Sequence, residues 1–285
     1  MRPSTFSIAA ADPSTGEVGV AVQSKFLSVG AAVPWVASDA GAVATQAWAN
    51  TTYGPRGLAL LREGVPPERV VAQLTGGDEQ RAQRQLGIVA RDGRSATFTG
   101  DQCMEWAGGV AGDGFAAQGN ILAGPGVVDG MRAAFLATGG PLADRLLAAL
   151  RAGQAAGGDR RGQQSAALSI AKPAGGYGGF NDRYVDLRVD DHPQPIEELA
   201  RLLELHKLYF FPAAPRDVLE VDARLGAEIA TLLALAGLLP RGAPYDAAAR
   251  DALVHFMHRE NLEDRVRADG TVDRQTLDYL RGFGR

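Results

Sequence analysis

A threonine stands at the start of the first strand-like run of this sequence, TFSIAAAD, five residues into the chain. A hydroxyl placed there makes the beginning of the chain a candidate reactive site. Along the strand, Thr5, Ser7, Ala9 and Ala11 alternate with Phe6, Ile8 and Ala10, so one face can pack while the hydroxyl face opens on a cleft. The strand that follows ends in Gln23 and Ser24, with Lys25 next. If the hairpin register sets Lys25 opposite Thr5, the ammonium lowers the pKa of a neighbouring amine or stabilises negative charge in a transition state. A slip of one residue turns it away. The chemistry these residue types suit is attack by Thr5 with electrostatic help from Lys25.

Donors for an oxyanion come from backbone N–H groups or side-chain amides that face a cleft. Gln46 and Asn50 in TQAWAN, and Gly119 with Asn120 in AAQGN, are polar positions at the ends of otherwise apolar strands; singly, each also suits a turn. The loop GGDRRGQQS carries Asp159, Arg160 and Arg161, where an arginine either clamps a substrate carboxylate or pairs with Asp159 on a solvated loop. It lacks the Gly-Lys-Ser/Thr ending of a phosphate-binding loop. Cys103, the single cysteine, has no histidine near it in sequence and suits packing. His255 and His258 sit three apart with no third ligand nearby, so neither a metal nor a cofactor is expected. In RYVDLRVDD, Asp186, Arg188 and Asp190 share a face and fit an ion-pair ladder.

These candidates must be carried by hairpins. Thr5 to Ala11 and Glu17 to Ser24 flank a DPSTG turn, and QLGIVARDGRSATFTG is a second hairpin. Short strands are expected at Ala31 to Ser38, Gly41 to Ala49, Gly114 to Asn120, in SAALSIAK and in RYVDLRVDD. Between them the hydrophobic period changes: helices are expected in GPRGLALLREG and PPERVVAQLTGGD, at about Val127 to Ala137, at Leu142 to Gly153, and in IEELARLLELHKLYFF. Hairpins imply antiparallel pairing, and paired helices argue against a doubly wound parallel sheet. The expected fold is α+β, with two antiparallel sheets face to face under helical layers. After Phe211-Pro212-Ala213-Ala214-Pro215 only helical patterns follow, so the chain is divided at residues 1–211 and 212–285, the second part a small all-α bundle.

Composition narrows the partners. Of 285 residues 46% are hydrophobic and 22% charged, as in a globular chain with a real core, and a net charge of −4 with scattered basic residues argues against nucleic acid or an anionic membrane. One cysteine suits a reducing compartment. Neither a secretory leader nor a membrane span is evident; IATLLALAGLL, ended by Pro240, is too short to cross a bilayer, and the expected location is cytoplasmic.

The segments TFSIAAADPSTGEVGVAVQSKFLSVGAAVPW, GAVATQAWAN, YGPRGL, AAQGNIL, GGDRRGQQSAAL and GGYGGFNDRYVDLRVDDHPQP resemble the bacterial domain-of-unknown-function family DUF1028, from about Ser4 to Phe211. That resemblance implies the N-terminal-nucleophile (Ntn) hydrolase fold, a four-layer αββα sandwich. In that superfamily a Thr, Ser or Cys opens a strand and its own α-amine acts as general base, a role suited to a group with a reference pKa of roughly 7.7–8.0. Thr5 occupies that place, which a threonine equally fills as a simple β-former at a strand start. Met1-Arg2-Pro3-Ser4 stand ahead of it, and because Arg2 is large, ordinary methionine removal does not expose Thr5; a free amine there requires autoproteolysis of the Ser4-Thr5 bond, another protease, or a misassigned start. The tail, with a helix ending near His255-Phe256 and a turn from Asp269 to Leu277, resembles a helical module assigned to peptidoglycan binding.

Two functions follow as expectations. One is hydrolysis of an amide or peptide bond in a small substrate, through an acyl-enzyme on Thr5. The other is ligand binding without catalysis, with a peptidoglycan fragment or muropeptide held through the tail, or a tail that serves only to dock or to form a homodimer.

Overall fold

The structure is a computed structural model and describes residues 5–283. Its chain divides into two compact units, Met1–Leu203 and Glu204–Arg285.

The first unit is mixed α/β with two antiparallel sheets. Strands β1 (Thr5–Asp12) and β2 (Glu17–Ser24) form the first hairpin, and β3 (Pro34–Ala37) and β4 (Gly41–Ala47) the next. Helices α1 (Tyr53–Arg62) and α2 (Pro67–Gly76) precede a second clear hairpin, β5 (Arg84–Ala90) and β6 (Ser95–Thr99). A strand not anticipated from sequence, β7 (Gly108–Gly112), pairs with β8 (Phe115–Asn120). Then come α3 (Gly126–Ala137), α4 (Leu142–Ala155), β9 (Ser165–Ala171), β10 (Arg183–Val189) and α5 (Pro195–Phe210), a helix whose residues from Glu204 onward belong to the second unit. The strand orders are β10-β9-β2-β1-β8-β7 in one sheet and β3-β4-β5-β6 in the other. Strand β1 is therefore interior, paired on one side with β2 and on the other with β8.

Side-chain alternation explains why the strands bury on both faces. Ala9, Ala11, Val18, Val20 and Val22 meet Ala42, Ala44 and Val89 of the smaller sheet in one cluster of small side chains. On the other face Phe6 lies beneath α4 at Gly153, where a Cβ would stand 3.1 Å from the Phe6 ring and 2.8 Å from Met131. Helices α1 and α2 lie against β4, β5 and β6, with Leu58, Leu61, Val70 and Leu74 packing on Val43, Leu86 and Ile88. On β10, Arg188 and Asp186 form a 3.0 Å ion pair, the beginning of a ladder on that edge.

The second unit holds α6 (Ala223–Leu235), α7 (Ala247–Arg259) and α8 (Arg274–Gly282), with a short β11 (Val218–Leu219) and β12 (Val272–Asp273) pair that the helical patterns do not forecast. Each helix starts on an aspartate whose carboxylate accepts a backbone N–H of the first turn: Asp222, Asp246 and Asp273. Ile229, Leu233, Phe256, Leu277 and Leu280 form its core. Arg265 is 7% exposed and spends its guanidinium on Asp273 (2.7 Å) and on the carbonyls of Lys207, Leu208 and Phe211. His206 packs against the Phe210 and Phe211 rings.

Candidate functional site

Strand pairing places Thr5 between two polar neighbours: its register partners are Ser24 on β2 and Asn120 on β8. The Thr5 and Ser24 hydroxyl oxygens are 3.0 Å apart, and either can donate. A pocket of about 280 Å³ opens at Thr5, with Gln46, Thr51 and the indole of Trp48 supplying its other polar groups. Phe26, Val29, Val33 and Trp48 form its walls, and Ala32, Ala47 and Ala49 leave its volume free. None of these ten lining residues is ionisable.

Behind the pocket the facing sheets enclose a network of amides. Ser7 donates to Gln46 Oε1 at 2.6 Å and accepts from Gln118 Nε2 at 2.7 Å. Gln46 Nε2 donates to Gln85 Oε1 at 2.9 Å, and the same oxygen accepts from Asn120 Nδ2 at 3.0 Å. Gln85 Nε2 in turn reaches the Gly119 carbonyl at 2.7 Å and Thr99 Oγ1 at 2.9 Å. Gln46, Gln85, Gln118 and Asn120 are all at most 1% exposed. A buried amide without partners would cost about 1–3 kcal/mol, and these are satisfied mainly by one another. Glycine makes the room: a Cβ on Gly87 would stand 2.0 Å from Gln118 Oε1. Gln46 Nε2 also makes longer 3.4 Å contacts to the carbonyls of Thr5 and Gln118, tying the second sheet to the backbone of the candidate nucleophile.

Two left-handed residues end the strands that carry this network. Ala47, with φ 63°, follows Gln46, and Ile121, with φ 56°, follows Asn120. Neither is glycine, and each costs about 1–2 kcal/mol in that conformation. Ala47 turns the chain so that Trp48 becomes a pocket wall, and Arg84 donates to the Trp48 carbonyl to hold it.

Other expected site residues lie elsewhere. The register pairs Thr5 with Ser24 and not with Lys25, because β2 ends at Ser24. Lys25 N donates to the Asp159 carboxylate at 2.9 Å and its ammonium to the Gln163 carbonyl at 3.2 Å, so the side chain is held on the loop that carries Asp159. Gln23 pairs with Phe6 and therefore shares the helix-covered face of the sheet, where its amide is buried without a hydrogen-bond partner among the described residues. Asn50 donates to Asp78 Oδ2 at 3.1 Å and accepts from Thr52, which commits it to the start of α1. Gly119 lies within β8 and gives its carbonyl to Gln85. Asp159 is 3% exposed and accepts from the Arg161 backbone N–H at 2.8 Å as well as from Lys25, while Arg160 and Arg161 are exposed. Of the expected set, Thr5, Ser24, Gln46 and Asn120 come together.

Ser7, Gln85 and Gln118 were not singled out from sequence. The signal was available: a glutamine flanked by small apolar residues in AAQGN, and another opening the run QLGIVA. Cys103 is no rival nucleophile, since burial raises its thiol above the usual range and its Sγ lies 3.3 Å from the Arg84 carbonyl. Among the described residues no group of three or more His, Cys, Asp or Glu side chains is placed to hold a metal ion. Nor is any described helix long and apolar enough to cross a membrane. Residues 1–4, on which exposure of the Thr5 amine depends, lie outside the described residues.

The model of the family described as "Family of unknown function (DUF1028)" matches residues 5–199, and that of the "Putative peptidoglycan binding domain" matches residues 209–280. Among solved structures, the crystal structure of protein SPO2555 from Silicibacter pomeroyi, itself assigned to DUF1028, is 36% identical with a TM-score of 0.66, covering 73% of this chain and 91% of that one. No curated protein matches.

Proposed function

The chain belongs to the family of unknown function DUF1028, and we propose that its first unit is an Ntn-type amidohydrolase with the four-layer αββα sandwich of that class. Thr5 is the nucleophile, liberated by cleavage of the Ser4-Thr5 bond. One observation carries this reading: a threonine hydroxyl lines a pocket that has no ionisable side chain. With no His, Lys or carboxylate to take its proton, the hydroxyl has its own α-amine as the base within reach.

The steps then follow from the residues. The amine takes the proton from Oγ1, and Oγ1 bonds to the carbonyl carbon of a bound amide. The oxyanion is met by the Gln46 amide, whose contacts to the Thr5 and Gln118 carbonyls are long at 3.4 Å. Collapse breaks the C–N bond, with the ammonium returning its proton to the leaving amine. A water activated by the same amine hydrolyses the ester. Ser24, 3.0 Å away, orients the Thr5 hydroxyl.

The test is a comparison of the mature protein with Thr5→Ala on a panel of small amides. Activity that depends on both a processed N-terminus and Thr5 supports the reading; activity intact in Thr5→Ala refutes it.

A second reading is favoured by the match over residues 209–280: the tail binds peptidoglycan fragments. Retention on peptidoglycan by the full chain, and its loss on truncation after Phe211, is the expected outcome. Equal retention by both would remove the tail's role.

A further inference from the structure

We propose that the Thr5 pocket selects an uncharged, apolar acyl group, so that the substrate is a small amide of an aliphatic or aromatic acid. This rests on the hydrolase reading for the word substrate, but the selectivity follows from the walls alone. Apart from Thr5, Gln46, Thr51 and the indole N–H of Trp48, the lining side chains are hydrocarbon, from Phe26, Val29, Val33, the Trp48 ring and the alanines between them. A charge carried at the far end of the acyl chain, away from residue 5, loses its hydration and finds no counter-ion among these walls. The nearest candidate cation by sequence, Lys25, is tied to the Gln163 carbonyl, and the Asp159 carboxylate is occupied by Lys25 N and Arg161.

Size follows from volume. A cavity of roughly 150 Å³ accepts benzene, so about 280 Å³ admits a ring with a short alkyl chain or a chain of comparable bulk. The two least exposed walls, Val29 and Val33, are 1% and 3% exposed, whereas Trp48 and Phe26 are 44% and 37% exposed and stand where a bound acyl group would cover them. The polar end is set by Thr5 and Gln46. The amide carbonyl therefore lies at Gln46 and the acyl chain runs along Val29, Val33 and Trp48.

Equilibrium binding to full-length Thr5→Ala protein, which removes the proposed nucleophile, tests this with a homologous series from acetamide to octanamide, with phenylacetamide, and with two charged analogues of hexanamide, 6-aminohexanamide and adipic acid monoamide. Affinity is expected to rise about fourfold per added methylene until the pocket is full. The charged analogues are expected to bind at least tenfold more weakly than hexanamide. Ala49→Leu in the same background, which narrows the pocket from a partly exposed position, is expected to weaken octanamide at least tenfold more than acetamide. Charged analogues that bind as well as hexanamide, affinity independent of chain length, or no binding by any member would each overturn the inference. Selective binding of neutral acyl groups by a mature wild-type protein that hydrolyses none of them would instead sink the hydrolase reading and leave this one standing.

Discussion

Thr5 Oγ1 and Ser24 Oγ face each other across 3.0 Å at the open end of the β1–β2 hairpin. The pair exists because an antiparallel register sets residues of equal facing directly opposite, and here it sets two hydroxyls beside a pocket rather than a hydroxyl beside an ammonium. The consequences of that arrangement can be measured.

Thr5→Ala should abolish amide hydrolysis, with a loss of about 10²-fold or more, while Thr5→Ser retains part of it. Because the substitution removes one hydrogen bond, unfolding free energy should change by only about 0.5–1.5 kcal/mol. Circular dichroism and chemical denaturation separate the two effects: a large stability loss would make Thr5 a structural residue.

The pH profile carries a sign. The reactive amine must be unprotonated, so kcat/KM should fall about tenfold per pH unit below roughly 7.7–8.0, the reference range of an α-amine, and level off above it. A profile flat from pH 5 to 9 would contradict an amine base.

Gln85→Leu should destabilise the first unit by about 1–3 kcal/mol or more, since it strips partners from Gln46, Asn120 and the Gly119 carbonyl at once. Removing Gln85 together with Gln46 should cost less than the sum of the single losses, because the two amides satisfy each other. A double-mutant cycle by urea unfolding measures this; strict additivity would mean the network is not coupled.

Acid should loosen the pocket through Asp78. Its carboxyl is held well below the usual range, first by the hydrogen bond from Arg84, then by those from Asn50 and Tyr53, against the opposing effect of burial. A depressed folded-state pKa stabilises the fold above about pH 4, the unfolded-state range, and that stabilisation is lost as pH falls toward the folded value. The side chains of Arg84 and Asp78 are 8% and 11% exposed, so Asp78→Ala should cost roughly 3–5 kcal/mol and flatten the acid limb of a stability curve between pH 2 and 6. Since Arg84 also holds the Trp48 carbonyl, affinity for pocket ligands should fall with it.

Much of the frame was legible in the sequence, and the reasons are local. The DPSTG and ARDGR turns punctuate their hairpins, and the expected helices at Val127 and Leu142 appear as α3 and α4. Thr5, Ser24, Gln46 and Asn120 could be found because polar groups at the ends of apolar strands stand out in a period of two. What was hidden depends on distant partners. The Lys25 ammonium is held by the Gln163 carbonyl, 138 residues away, and the Asn50 amide by Asp78. Strand β7, GGVAG, carries almost no side-chain pattern. Gln85 and Gln118 stand out by type in apolar runs, but only the stacking of two sheets turns them toward each other.

The identity of the first residue in active protein decides whether the Thr5 amine is free to act as the base. Intact-mass measurement and N-terminal sequencing of protein that hydrolyses a small apolar amide should give a chain beginning at Thr5. Full activity in a homogeneous chain that still carries residues ahead of Thr5 would contradict it.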